Sequence, residues 1–268
     1  PTSTTATSTL TDLNFPATAN LFYGGQRFLT ASTTSAGNLT IGYQSATGLD
    51  GSGGLYNTGV GYQALGNATS TDYNTAFGYQ ALLGSASVYT AKSNTAFGYQ
   101  SLRLITTGSN NAAFGKSALS VNTTGSNNMA IGTNALRYNT TANNNTGIGI
   151  GAGAGDITAA TADQRSVTDS SMTFIGYQAT RDKSIASTSA LTNSAAIGAN
   201  AKVAQSNTVV IGGTGENAVN MVIGTTTPWA KLSIMNTYVS LTPLFDIASS
   251  TSAAYATRSI FRINADGK

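Results

Sequence analysis

An all-β fold of stacked coils, a parallel β-solenoid, is what this sequence predicts, and three observations predict it. A large apolar residue followed by glycine recurs eleven times, most often at a step of 17 residues. The pair keeps fixed companions: asparagine before it, a small residue beside it, leucine after it. Charged residues make up only 9% of the chain, against about 25% of an ordinary soluble domain, so the surface must be built from Thr, Ser, Asn, Gln and Gly.

The repeating pairs are Ile41-Gly42, Val60-Gly61, Phe77-Gly78, Phe97-Gly98, Phe114-Gly115, Ile131-Gly132, Ile148-Gly149, Ile175-Gly176, Ile197-Gly198, Ile211-Gly212 and Ile223-Gly224. A step of 17 is too short for a helical repeat, which needs roughly 33 residues or more. It fits one coil of two short strands and two turns. In Thr75-Ala76-Phe77-Gly78 large and small residues alternate, as a half-buried strand requires. Gly and Asn are the residues best able to take positive φ at turns, and Thr107 to Asn111 and Thr124 to Asn128 repeat one such turn, Thr-Gly-Ser-Asn-Asn. Eleven coils at about 4.8 Å each give a rod on the order of 50 Å.

The apolar residue before each glycine, from Ile41 to Ile223, is expected to be the structural core, with Phe77, Phe97 and Phe114 stacked inside. Leu65, Leu82, Leu102, Leu119 and Leu136, four residues after the glycine, are expected to join them. Asn38, Asn57, Asn74, Asn94, Asn111, Asn128, Asn145 and Asn220 stand four residues before it; Asn193 and Asn207 stand one place earlier. These asparagines either form a side-chain amide ladder from coil to coil or each cap a turn on the surface. The small residues two before the glycine (Ala76, Ala96, Ala113, Ala130, Ala196, Gly59 and Gly147) are read as an outer stripe. A thin coil encloses little volume, and that stripe lets another copy approach closely, so a closed self-association is expected. Whether two or three copies associate is left open by composition.

Asn193-Ser194-Ala195-Ala196-Ile197-Gly198-Ala199-Asn200-Ala201 and Ser206-Asn207-Thr208-Val209-Val210-Ile211-Gly212 resemble head repeats of trimeric autotransporter adhesins. The units of the form Asn-Thr-Ala-Phe-Gly-Tyr-Gln-Ala-Leu, as at Asn74 to Leu82, resemble related repeats of phage tail-fibre proteins and of large bacterial surface proteins. The resemblance spans about Asn38 to Gly224. It implies a left-handed parallel β-roll, three chains around one axis as a homotrimeric fibre, and a place outside the cell, on a cell surface or a virion. The steps of 17 to 20 residues and the Tyr-Gln after the glycine depart from the adhesin pattern.

Three regions follow. Residues 1–37, Thr/Ser-rich with an apolar patch at Leu21-Phe22-Tyr23, are an N-terminal linker or cap; 38–224 are the roll; 225–268 are a connector and the start of a further β module. In the last, Leu232 to Ile234 and Ser259 to Ile263 alternate as strands do, and Ala265-Asp266-Gly267 reads as a turn. Near 156–171 the repeat lapses, and Asp156, Asp163, Arg165 and Asp169, followed by Arg181, Asp182 and Lys183, form the densest charge cluster. It reads as a solvated insertion, or as a loop that meets a partner.

Composition narrows function. With no cysteine and no histidine, zinc clusters, thiol chemistry and the usual serine triads are excluded. The net charge of +3 is spread out, which speaks against nucleic-acid binding. No apolar run reaches the ~18–20 residues of a membrane helix, so no membrane contact is expected in this segment. The carboxylates are scattered; a glycosidase pair from Asp156, Asp163 or Asp169 has no support in their spacing. Gly149, Gly151, Gly153 and Gly155 lack the lysine of a P-loop and read as a tightly turning coil. The triplets at Asn67 and Asn122 are glycosylation acceptors by sequence only. The expectation is a non-catalytic structural fibre or adhesin with no cofactor and no metal, whose partners are itself and a host-surface glycan or protein. A phage tail fibre or spike is the alternative, and an ice- or carbohydrate-binding solenoid is a third class.

Overall fold

Each repeat contributes one short strand that ends on the apolar residue before the glycine. In a computed structural model, residues 18–23, 26–32, 37–47, 49, 54–85, 89–154, 168–182, 190–213, 221–223, 232–234, 245–249 and 258–263 are described. The strands are β1 (Thr18–Tyr23), β2 (Gln26–Ser32), β3 (Leu39–Ile41), β4 (Thr58–Val60), β5 (Thr75–Phe77), β6 (Thr95–Phe97), β7 (Ala112–Phe114), β8 (Met129–Ile131), β9 (Thr146–Ile148), β10 (Ser170–Ile175), β11 (Thr180–Arg181), β12 (Thr192–Ile197), β13 (Lys202–Val203), β14 (Val209–Ile211), β15 (Met221–Ile223), β16 (Leu232–Ile234), β17 (Phe245–Ser249) and β18 (Arg258–Ile263). No helix occurs among the described residues.

The chain is all-β, and its repeats form a parallel β-solenoid. Strands β3 to β10 and then β12 pair in parallel, each with the next coil. Register is set by the repeat: Phe77 lies opposite Phe97, and Phe97 opposite Phe114. The turns are stitched as well. Gly98 N donates to Phe77 O and Gln100 N to Tyr79 O, each at 2.8 Å, and Leu102 N donates to Ala118 O at 3.0 Å. Before the first coil, β1 and β2 form an antiparallel hairpin whose second strand pairs antiparallel with β3. The N-terminal region is thus partly strand, and it joins the sheet.

The chain divides into two compact units, Pro1–Val210 and Ile211–Lys268. In the second, β15 pairs in parallel with β16, and β17 with β18 antiparallel. The strands expected at 232–234 and 259–263 are present as β16 and β18. The connector at 225–230 and the turn at 265–267 lie outside the described residues.

The interior of the coil corrects the sequence reading. The residue before the glycine does not fill it. Phe77, Phe97, Phe114, Ile131, Ile175 and Ile211 are exposed, Phe97 at 47%; Ile41, Val60, Ile148 and Ile197 are only half-buried. The side chain of Ile223 lies outside the described residues. The interior holds instead the small residue one place earlier, Ala76, Ala96, Ala113, Ala130 and Ala196, all fully buried. A second small ladder faces it: Ala64, Ala81, Ser101, Ala118, Ala135, Ala152, Ala179 and Ala201. Leu65, Leu82, Leu102, Leu119 and Leu136 are buried as expected. The expected outer stripe of small residues is therefore an inner one.

The reason is thickness. The two sides of the coil are so close that a Cβ on Gly59 would stand 3.2 Å from Leu65 Cδ1, and one on Gly147 only 2.8 Å from Leu136 Cγ. A phenylalanine cannot enter beside a leucine there. Where a large residue does sit inside, its neighbours shrink. Phe174 is fully buried, and Gly153 occupies the place that Leu136 holds one coil earlier. A Cβ at Gly153 would meet the Phe174 ring at 2.6 Å.

The asparagines resolve as a buried ladder. Asn57, Asn74, Asn94, Asn111, Asn128 and Asn145 are at most 2% exposed, and Asn38 is buried at 7%. Asn94 shows the pattern. Its backbone N donates to Asn74 Oδ1 at 2.9 Å, and its Nδ2 donates to the same oxygen at 3.3 Å and to Gly108 O at 3.0 Å. Its own Oδ1 accepts from Asn111 N at 2.9 Å and Asn111 Nδ2 at 3.0 Å. The ladder ends where Met172 N donates to Asn145 Oδ1 at 2.9 Å. Asn193 and Asn207, one place earlier, are exposed and bond to each other outside, at 2.9 Å. Asn220 lies outside the described residues.

Asn94→Leu strips partners from Asn74, Gly108 and Asn111 at once, and each buried polar group left unpaired costs about 1–3 kcal/mol. We expect it to lower stability by about 3 kcal/mol or more in chemical denaturation. Thr107→Leu, at an exposed turn position, should stay within about 0.5 kcal/mol of the parent.

Candidate functional site

The outward face follows from the inward one. Strand residues alternate, so with Asn and the small residue inside, the residue between them (most often Thr) and the large apolar residue face out. At the following glycine the chain turns. Gly98 has φ 132°, and a Cβ there would stand 2.7 Å from Gly115 O, so only glycine lets successive coils approach at this corner. Beyond it, tyrosine and glutamine face out in turn.

Three ladders result. In the first, Phe77 and Phe97 stack with ring centroids 4.8 Å apart, and Phe97 and Phe114 with 6.4 Å; Ile131 continues the row opposite Phe114. In the second, Tyr43–Tyr62, Tyr62–Tyr79 and Tyr79–Tyr99 have centroids 5.7, 5.1 and 5.1 Å apart, and all four rings are exposed. Lys116 takes the next place, its Nζ 5.9 Å from the Tyr99 centroid, a cation over the ring face. In the third, Gln63 Nε2 donates to Gln44 Oε1, Gln80 Nε2 to Gln63 Oε1 and Gln100 Nε2 to Gln80 Oε1, at 2.8, 2.7 and 2.9 Å.

In the sequence, Tyr-Gln departs from the adhesin pattern and belongs to the tail-fibre-like unit, and neither fact predicts a surface row. Its recurrence at Tyr43-Gln44, Tyr62-Gln63, Tyr79-Gln80, Tyr99-Gln100 and Tyr177-Gln178 was the available signal. A residue that returns at one step of a solenoid must stand in a row.

The charge cluster is also corrected. Asp169 and Arg181 are not solvated: they are 0% and 3% exposed and paired at 3.0 Å. Asp169 Oδ1 also accepts from Leu191 N at 2.7 Å. This pair lies beside the end of the asparagine ladder, where Asn145 Nδ2 donates to Asp169 O. Asp156, Asp163, Arg165 and Lys183 lie outside the described residues. Of the three acids weighed as a glycosidase pair, Asp169 is thus locked inside. Lys92 and Asp72 form an outer ion pair between coils. The hydrogen bond from Lys92 is the main cause that holds the Asp72 carboxyl below its ordinary value. Among the acceptor triplets, Asn122 is fully buried and donates to Gly125 O, and Asn67 donates to Gly84 O at 3.0 Å; folded coils thus withhold Asn122.

The surface offers rows of apolar rings, phenol hydroxyls and carboxamides. Its chemistry is contact and hydrogen bonding. No group of three or more metal-ligating side chains occurs among the described residues. No protein-family model, no curated protein and no solved structure matches the chain.

Arg181→Met leaves the Asp169 charge buried without its guanidinium, and breaking such a pair costs about 3–5 kcal/mol. We expect that loss in denaturant titrations, and we expect Asp169→Asn combined with Arg181→Met to recover part of it.

Proposed function

We propose that the chain is a segment of a non-catalytic extracellular fibre or adhesin, a left-handed roll of which three identical copies surround one axis. One observation carries this reading: the apolar ladder from Ile41 to Ile211 faces outward coil after coil. Monomeric soluble proteins rarely expose contiguous apolar surface beyond a few hundred Å². Closed cyclic packing covers such a stripe on every copy without open-ended growth. A three-fold axis parallel to the coil stack brings each ladder residue against its own equivalents, so the 17-residue repeat becomes the repeat of the interface. Three copies and left-handed winding are supported by the likeness of 193–212 to trimeric adhesin heads. The interface differs from the one expected: it uses phenylalanine and isoleucine, since the small residues are inside.

The sparse charge and the ladders of hydroxyls and amides supply the rest of the role, a neutral polar surface repeated along a rod. A phage tail fibre or spike is the second reading, favoured by the Asn-Thr-Ala-Phe-Gly-Tyr-Gln-Ala-Leu units.

Phe97→Asp places a carboxylate on the proposed axis in all three copies. It should preserve the β-sheet circular dichroism of the solenoid while the mass in light scattering falls from three chains to one. A parent chain that runs as a folded monomer at micromolar concentration would falsify the assembly. Immunogold labelling of the source, with antibodies to this chain, tests the role. Label on filaments outside the cell or on virions is expected, and label confined to the cytoplasm would overturn it.

A further inference from the structure

We propose that the tyrosine–glutamine face binds an extended, uncharged β-1,4-linked polysaccharide lying parallel to the coil axis. The proposal goes beyond the fibre reading and requires only that this face be accessible in the assembled protein. It starts from spacing. Tyr43, Tyr62, Tyr79 and Tyr99 repeat at 5.1 to 5.7 Å, each a ring with a hydroxyl and 39% to 46% exposed. A ligand that meets every ring alike must itself repeat at nearly the strand spacing, about 4.8 Å. The sugar units of a flat β-1,4 chain advance by a similar distance, with hydroxyls on both edges. An α-1,4 glycan coils and loses step after one or two units. A peptide strand advances about 3.3 Å per residue and also falls out of step.

Charge points the same way. From Tyr43 to Gln100 the two positions after the glycine carry tyrosine and glutamine only, and Lys116, which closes the row over Tyr99, is the first cation there. A polyanion finds no row of cations, and a phosphate backbone needs one. The face is also prepared in advance. Each glutamine amide is held by its neighbour at 2.7 to 2.9 Å, so the carboxamides stand fixed in line with the rings. Side chains already ordered lose little entropy when a ligand arrives. Four coils carry the motif in succession, so the face matches about four sugars.

Isothermal titration of the full chain tests this with four probes: cellohexaose, chitohexaose, maltohexaose and cellobiose. At least one β-1,4 hexaose should bind saturably, cellobiose at least tenfold more weakly, and maltohexaose not at all. The double variant Tyr62→Ala/Tyr79→Ala should weaken hexaose binding at least tenfold with unchanged circular dichroism. Gln80→Ala, which leaves every ring in place, should weaken it at least threefold and covers the case in which the tyrosine variant disturbs the fold. Failure of both β-1,4 hexaoses to bind overturns the proposal. So does equal binding of maltohexaose, or parent-like binding by the variants. Binding by a monomer would sink only the trimeric reading, and a trimer that binds no hexaose would sink only this one.

Discussion

A ladder of buried amides, from Asn38 to Asn145, is the constraint on which the rest of this structure depends. Asparagine inside a thin solenoid is costly unless both of its N–H groups and its oxygen are paired. Here the oxygens from Asn38 to Asn111 accept from the backbone and the side chain of the next asparagine, those of Asn128 and Asn145 accept from the next coil's backbone, and each Nδ2 of the ladder also reaches a carbonyl of a neighbouring turn. Those partners exist at one register only. A strand slipped by one residue would bury threonine and phenylalanine and expose the amide. The ladder therefore selects which face of the strand is inside, and hydrophobicity does not. That is why the largest apolar residue of the repeat ends on the surface.

The same thinness governs the turns. Leu65, Leu82, Leu102, Leu119 and Leu136 adopt φ between 47° and 54°, a left-handed conformation that costs a non-glycine residue about 1–3 kcal/mol. Burying a leucine side chain contributes about 1.5–3 kcal/mol, so burial roughly offsets the strain and the position remains leucine. At Gly153, where Phe174 supplies the bulk from the next coil, the same turn position carries glycine and the strain is absent. The 20-residue step is filled by Tyr89, which is buried against Gly84; burial pushes its phenol far above the ordinary value. Insertions are tolerated where the extra residues bring their own core.

Much of this was legible in the sequence. The coil step, the parallel register, the glycine corners and the inward leucines follow from spacing. The strand faces do not, because in a coil this thin side-chain size is no guide to burial. The signal was present nonetheless. Asn94 and Phe97 are three residues apart along one extended segment that leads through β6, so they face opposite ways, and an inward asparagine ladder excludes an inward phenylalanine. Asn193 and Asn207 show the same rule: moved by one residue, they left the ladder and went outside. The tyrosine and glutamine rows were legible in spacing but carried no expectation of contact. Asp169 and Arg181, twelve residues apart on either side of β10, offered no spacing rule that would pair them.

The outward apolar ladder and the polar ladders beside it tie fold to role. A coil too thin to hide its phenylalanines leaves them on its outer face, beside neutral rows of hydroxyls and amides. All of this depends on the asparagines being inside. The direct measurement is hydrogen exchange of asparagine side-chain amides, followed by NMR. The Nδ2 protons of Asn94, Asn111 and Asn128 should persist long after those of the exposed Asn110 and Asn127, their neighbours in the same turns. Equal, rapid exchange of both sets would contradict the account.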